Sequence, residues 1–226
     1  MNRKSKALGL LLFAALAFSA MTASGASAAG ELFHSATAHT ILDVTQAGTE
    51  GSVEGQQIFS TTAGELSCTG VEATATLTAQ TVSEITAVPT YTKCNKIESG
   101  KEGLTTHVKM TSCDFLSTSA RSGTNAPAHI KCTTPGDHIH INATFLGSEI
   151  LCMTIPPQTP TGGGFTFTII GSFPTRKIRV HVAWIGIEYT EKSACGSSVA
   201  NDGTYNGDFL VQGTDTSGNA VDTWWE

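Results

Sequence analysis

Leu104-Thr-Thr-His-Val-Lys-Met110, Ala128-His-Ile-Lys-Cys132, His138-Ile-His-Ile-Asn-Ala-Thr-Phe145 and Glu149-Ile-Leu-Cys-Met-Thr-Ile155 decide the class of this chain. Each segment is short and rich in Thr, Ile and Val, the composition of a β-strand. They lie among cysteines at 94, 113, 132 and 152, which recur about every twenty residues. That interval leaves room for two short strands and their turns. The cysteines therefore punctuate a β-meander, with Cys68 and Cys195 on its flanks.

The same signal extends in both directions. Val71, Ala73, Ala75 and Leu77 alternate with Glu72, Thr74, Thr76 and Thr78, which gives one apolar and one polar face. Thr81 to Thr92 repeats the style, and Pro89 marks an edge or a bulge. Phe165, Phe167 and Ile169 resume the alternation. The strongest strand follows, with Ile178, Val180, Val182 and Trp184 on one face and Lys177, Arg179 and His181 on the other. Gly186 is expected to break it before Ile187-Glu-Tyr189. Thr204 to Val211 and Ala220 to Trp225 read as a hairpin joined through Asp215-Thr-Ser-Gly-Asn219. Apolar residues at the helical spacing i, i+3, i+4, i+7 are missing after the leader. Many short strands without helices predict an all-β fold, and the expectation is an antiparallel, disulfide-stabilised β-sandwich of Greek-key or jelly-roll kind. It is expected to be a single domain over 29–226. Ile155-Pro-Pro-Gln-Thr-Pro160 and Gly162-Gly-Gly164 then form a crossover, or a sub-domain break near 156–164.

Thirteen Lys and Arg against nineteen Asp and Glu give a net charge of −6 over 226 residues. Such a chain has no basic footprint for nucleic acid, and an anionic membrane repels it. Arg3, Lys4 and Lys6 precede the apolar run Ala7 to Ala20, and small residues follow to Ala26-Ser-Ala-Ala29. This is the pattern of a secretory signal peptide, 1–28, cleaved after Ala28. No later segment approaches the apolar length of a membrane span. The expected location is extracellular or cell-wall associated, free of the membrane once the leader is removed.

Export and the cysteine count agree. All six cysteines follow the leader, and an even number in an oxidising compartment predicts three disulfides. No Cys-x-x-Cys pair offers a thiolate metal site. Cys113 and Cys132 are symmetric about Ser122-Gly123, so a hairpin there places them opposite each other. Cys94 and Cys113 flank Glu102-Gly103 in the same way, so symmetry alone does not single out one of the fifteen connectivities. The pairing carried forward is 68–94, 113–132 and 152–195.

Several segments together resemble a family of secreted, Thr-rich, uncharacterised proteins predicted in soil actinobacteria. They are Phe33-His-Ser, Thr61-Thr-Ala-Gly-Glu65 running to Cys68, Pro89-Thr-Tyr-Thr-Lys-Cys94, Met110-Thr-Ser-Cys113, Cys152-Met-Thr-Ile-Pro-Pro-Gln158 and Gly203-Thr-Tyr-Asn-Gly207. The resemblance spans nearly all of the chain after the leader. It implies export and a shared cysteine-paired β scaffold, and it transfers no activity.

Candidate chemistry is sparse. On a strand His138 and His140 point to one side and can begin a cupin-like metal site. Such a site needs a third ligand, from Asp137, Glu149 or His129. The plainer reading is a solvent-facing polar strand. Trp224 and Trp225 face opposite ways on a strand, so one is available to stack on a sugar ring, as in carbohydrate-binding modules. Against that, one Trp is core and the other covers a sheet edge. No Gly-x-Ser-x-Gly elbow is present, and the carboxylates are scattered. Asp215 to Asn219 lacks the calcium-loop pattern, and Asn142-Ala-Thr144 is a glycosylation acceptor triplet that is common by chance. The expectation is a non-enzymatic structural or binding protein of the envelope or extracellular space, without catalytic residues or cofactor. Its expected partner is a cell-wall polysaccharide or an envelope protein. The alternatives are a carbohydrate-binding module, and a hydrolase or cupin-like metal protein built on His138 and His140.

Overall fold

Strand follows strand with no helix between them among the residues described by the computed structural model, which are 33–48, 55–62, 64–97, 104–118, 125–146, 148–193 and 196–225. All of these fall in one compact unit, Glu31–Glu226. The proposed signal peptide lies outside them. In chain order the strands begin with β1 (Phe33–Ser35), β2 (Thr40–Gln46), β3 (Gln57–Thr61), β4 (Gly64–Leu77), β5 (Thr81–Val82) and β6 (Glu84–Ala87). Next come β7 (Thr90–Ile97), β8 (Leu104–Lys109), β9 (Cys113–Thr118), β10 (Asn125–Ala126), β11 (Ala128–Cys132) and β12 (Ile139–Phe145). The last are β13 (Ser148–Ile155), β14 (Gly162–Ile170), β15 (Lys177–Ser193), β16 (Gly196–Thr214), β17 (Ala220–Val221) and β18 (Thr223–Trp225).

Eight strands close on themselves. β15 pairs with β13, then the order runs β12, β8, β7, β4, β2 and β16, and β16 returns to β15, antiparallel at every step. The all-β, antiparallel reading holds. The expected sandwich is corrected to a closed barrel with further strands outside it. The physical cause is the length of β15 and β16, 17 and 19 residues. Each is long enough to take two partners in succession along one edge. β15 pairs with β14 over Lys177 to Ile185 and with β13 over Thr190 to Ser193. β16 pairs with β3 over Thr204 to Asn206 and with β2 over Phe209 to Thr214. Gly186 does not end the strand. At φ +70° it forms a bulge, the register shifts between Ile185 and Ile187, and the ladder continues.

Outside the ring, β1 pairs with β18 and β5. β9 lies between β6 and β11 in a three-stranded cap sheet. Thr111 and Ser112 take positive φ in the turn leading into the cap, where the Cys113 N–H donates to Met110 O at 2.7 Å. The Pro- and Gly-rich stretch after β13 ties the cap to the ring. Ile130 and Gln158 exchange backbone bonds of 2.8 and 2.9 Å, and the Gln158 side chain bonds Glu188 N and O at 2.7 and 2.8 Å. β13 and β14, on either side of this stretch, both pair with β15.

Two disulfides join residues directly opposite in register: Cys68–Cys94 between β4 and β7, and Cys113–Cys132 between β9 and β11. Of the third expected pair, Cys152 on β13 has no disulfide among the described residues, and Cys195 lies outside them. Inward residues of ring and cap form one apolar core. It holds Leu42, Val71, Leu77, Val182, Trp184, Ile187 and Tyr189, each nearly or fully removed from solvent. Burying a side chain of this size is worth about 1.5–3 kcal/mol. Phe165 and Phe167 join the core, whereas Ile169 is exposed, so the alternation on β14 loses its burial at its third member.

Candidate functional site

The space enclosed by the ring and the outer strands is not completely filled. One void of about 40 Å³ is bounded by Tyr91, Val108, Ile141, Trp184 and Tyr205 from the ring and by Phe115 from the cap. A second, of about 80 Å³, lies among Val44, Ala73, Ile85, Phe167, Val211 and Ser117. Phe115 borders both. Strand alternation aims it there: Cys113, Phe115 and Ser117 share one face of β9. Its ring meets Trp184 edge-on at 4.8 Å and Tyr205 at 6.0 Å between centroids.

A chain of buried polar groups runs along the first void. Tyr205 donates its hydroxyl to Gln57 Oε1 at 2.5 Å. That fixes its only proton, so the 3.1 Å contact between the two tyrosines has Tyr91 donating to Tyr205. Gln57 Nε2 in turn donates to Gly55 O and Asp208 O at 2.9 and 3.0 Å. Burial pushes both tyrosine hydroxyls well above their ordinary range, so they stay neutral at any physiological pH. Gly207 makes room for the arrangement: a Cβ on it would stand 1.9 Å from Gln57 Oε1. Trp184 and Ser117 line the first and the second void, and their Nε1 and Oγ are buried without a hydrogen-bond partner.

The first void has a neighbour outside the ring. β7 and β8 share one registered pair, Cys94 opposite Thr106. A groove of about 420 Å³ follows that seam, lined by Tyr91, Lys93, Asn95, Thr105 and His107. Tyr91 thus borders both the groove and the inner void.

The residues singled out from the sequence lie elsewhere. His138 precedes β12 and His140 lies on it, with ring centroids 6.4 Å apart. No group of three or more metal-ligating side chains gathers there or anywhere among the described residues. His129 bonds Thr159 at 2.8 Å, and Asp137 accepts from Ser112. Trp225 is buried against Phe33 and Phe167. Trp224 turns outward, but its ring stacks on His34 at 5.2 Å with planes 10° apart, and the Arg176 guanidinium lies over it at 4.6 Å. Asp215 caps its own hairpin, accepting from Ser217 N and Asn219 N at 2.8 Å. Asn142 sits in the middle of β12, opposite His107 and Cys152. Among the described residues no helix is long and apolar enough to cross a membrane.

Gln57, Tyr91, Phe115 and Tyr205 were not singled out from the sequence. The tyrosines stand inside Pro89-Thr-Tyr-Thr-Lys-Cys94 and Gly203-Thr-Tyr-Asn-Gly207, two of the segments that carry the family resemblance. That was the one available signal. Compared with protein-family models, with curated proteins and with solved structures, the chain matches none.

Proposed function

We propose that this chain is an exported, non-enzymatic binding protein that holds a small, mainly apolar molecule inside its ring, in the envelope or the extracellular space. One observation carries the reading: two apolar voids enclosed by the disulfide-stapled barrel and its outer strands, with Phe115 of the cap lining both. An eight-strand barrel has an interior that side chains fill or that holds one small ligand. The surface that the voids expose is apolar, which binds by shape. Export rests on the leader, on the family resemblance and on the paired cysteines, which persist in oxidising compartments.

The test uses disulfide-intact protein with xenon and with n-pentane. Saturable binding of either, accompanied by a rise in melting temperature, is expected, because a ligand that binds only the folded state stabilises it. Protein whose melting temperature ignores both, and which shows no saturable xenon signal, has no apolar site, and the reading falls.

A further inference from the structure

We propose that the outer face over the β7–β8 seam binds an acidic polysaccharide, with one sugar carboxylate in the groove and the chain continuing across β8 towards β12. The site lies outside the ring, so it can fail or hold independently of the interior reading. Alternation builds the face. Val108 lines the first void and Thr106 is buried, so Thr105, His107 and Lys109 point outward from β8, and all three are exposed. On β12 the buried Ile139, Ile141 and Ala143 leave His140 and Asn142 on the outside. Lys93 and Asn95 are exposed on β7.

Lys93, His107, Lys109 and His140 therefore form a line across three strands. Lys109 stands directly opposite His140, which sets their Cβ atoms about 5 Å apart. His107 is two residues from Lys109, about 7 Å along the strand. Lys93 and His107 line the groove from its two sides. These steps are near the length of one sugar ring in an extended chain. The protein carries a net charge of −6, yet no carboxylate stands among these outward residues. On β13 the neighbours of His140 and Asn142 are the uncharged Thr154 and Cys152. On β4, Glu65 and Glu72 lie opposite Ile97 and Thr90, at the two ends of β7. At physiological salt, exposed charges more than about 8 Å away are largely screened, so the local line outweighs the net charge. Asn95, Thr105 and the Tyr91 ring complete the groove. Neutral hydrogen-bonding groups and a ring suit a hydroxylated sugar better than a bare phosphate chain.

Oligogalacturonate, neutral dextran and polyphosphate are titrated into the intact protein at about pH 5.5, below the ordinary histidine range. Saturable binding of oligogalacturonate that weakens as salt is raised is expected, with none of dextran. The ring resonances of His107 and His140 are expected to move with the same saturation. Lys93→Gln combined with Lys109→Gln is expected to weaken binding about tenfold, the effect of two exposed charge contacts. Lys131→Gln combined with Lys177→Gln removes the same charge from the cap and from the start of β15, and is expected to change binding by less than about twofold. Equal weakening by the two pairs makes the attraction general and overturns the site. So does oligogalacturonate binding that leaves both histidine rings unmoved. Polyphosphate binding without oligogalacturonate, or no binding of oligogalacturonate at low salt, overturns the ligand class. The histidine resonances are read on the native protein, so they decide even if a variant fails to fold.

Discussion

Arg176 and Asp222 meet through paired N–H···O bonds, Nη2 to Oδ2 at 2.6 Å and Nε to Oδ1 at 3.0 Å, and the Arg176 backbone N–H adds a third at 2.9 Å to Oδ1. Asp222 separates β17 from β18, so the pair locks the outer strands to the start of β15. The Asp222 side chain is 2% exposed and that of Arg176 26%. Arg176→Ala therefore strands a buried carboxylate. Breaking a buried pair by removing one partner costs about 3–5 kcal/mol, and the lower end applies because Arg176 is partly solvated. Urea unfolding of Arg176→Ala checks this. A loss of only a few tenths of a kcal/mol would show the pair to be ornamental.

The same pair sets an acid limb to stability. The hydrogen bonds from Arg176 hold the Asp222 carboxyl below the ordinary aspartate range. A group whose folded-state pKa is depressed contributes stability that is complete above its unfolded pKa and disappears as pH falls through the folded one. Asp202, held down first by the Tyr189 hydroxyl at 2.9 Å, adds to the same trend. Melting temperature is expected to be flat near neutrality and to drop below the ordinary carboxylate range. In Arg176→Ala that drop becomes shallower, because the folded carboxyl then titrates closer to the unfolded one. An unchanged acid limb in the variant removes Asp222 from the account.

The order of the tyrosine chain predicts an order of damage. Tyr205→Phe leaves Gln57 Oε1 without its donor and Tyr91 without its acceptor. Stranding buried polar groups of this kind costs about 1–3 kcal/mol. Tyr91→Phe removes only the outer donor, so it is expected to cost less than Tyr205→Phe. Gly207→Ala pushes a Cβ against Gln57 and is expected to resemble Tyr205→Phe in direction. Denaturant melts of the three variants rank them, and Tyr91→Phe as the most harmful would reverse the assigned donor direction.

Alternation made the strands legible, and symmetry about Ser122-Gly123 anticipated the register of β9 on β11, in which Cys113 faces Cys132. Closure was not legible. Which neighbour a strand takes depends on its height along β15 and β16, and a period of two residues carries no information about height. Gly186 looked like an ending because a glycine in a strand marks either a stop or a bulge, and only the partner strand distinguishes them. The site was hidden for a related reason. Phe115 is one aromatic in a short segment, and its place beside both voids comes from a cap sheet whose inward residues join the core. His138 and His140 were conspicuous because paired histidines have few common uses, but the third ligand had to come from the fold.

The two disulfides make a chemical prediction. Alkylation of native protein without reductant is expected to leave Cys68, Cys94, Cys113 and Cys132 unmodified, and digestion is expected to yield the 68–94 and 113–132 linked peptides. Reduction should cost about 2–4 kcal/mol for each bridge, since each closes a loop in the unfolded chain. A linked 94–113 peptide instead would break the register of both β4 on β7 and β9 on β11.

Phe115 lines both voids, and Phe115→Ala is expected to open one into the other. Truncating a buried Phe to Ala costs about 3–5 kcal/mol, part of it for the space left behind. Phe115 is only half-buried, so the lower end is expected. The space gained joins the two voids into one apolar chamber. A chamber of roughly 150 Å³ or more accepts benzene and stays dry without it. Benzene is therefore expected to raise the melting temperature of Phe115→Ala by several degrees, with a much smaller effect on the unaltered protein. A ligand present at about a hundred times its dissociation constant returns about 2.7 kcal/mol, close to the loss from the truncation. Thermal melts with and without benzene check both halves. If the variant is destabilised but does not respond to benzene, the cap has collapsed into the ring and Phe115 was a filler. If it is destabilised and rescued, the side chain is the wall between two halves of one chamber.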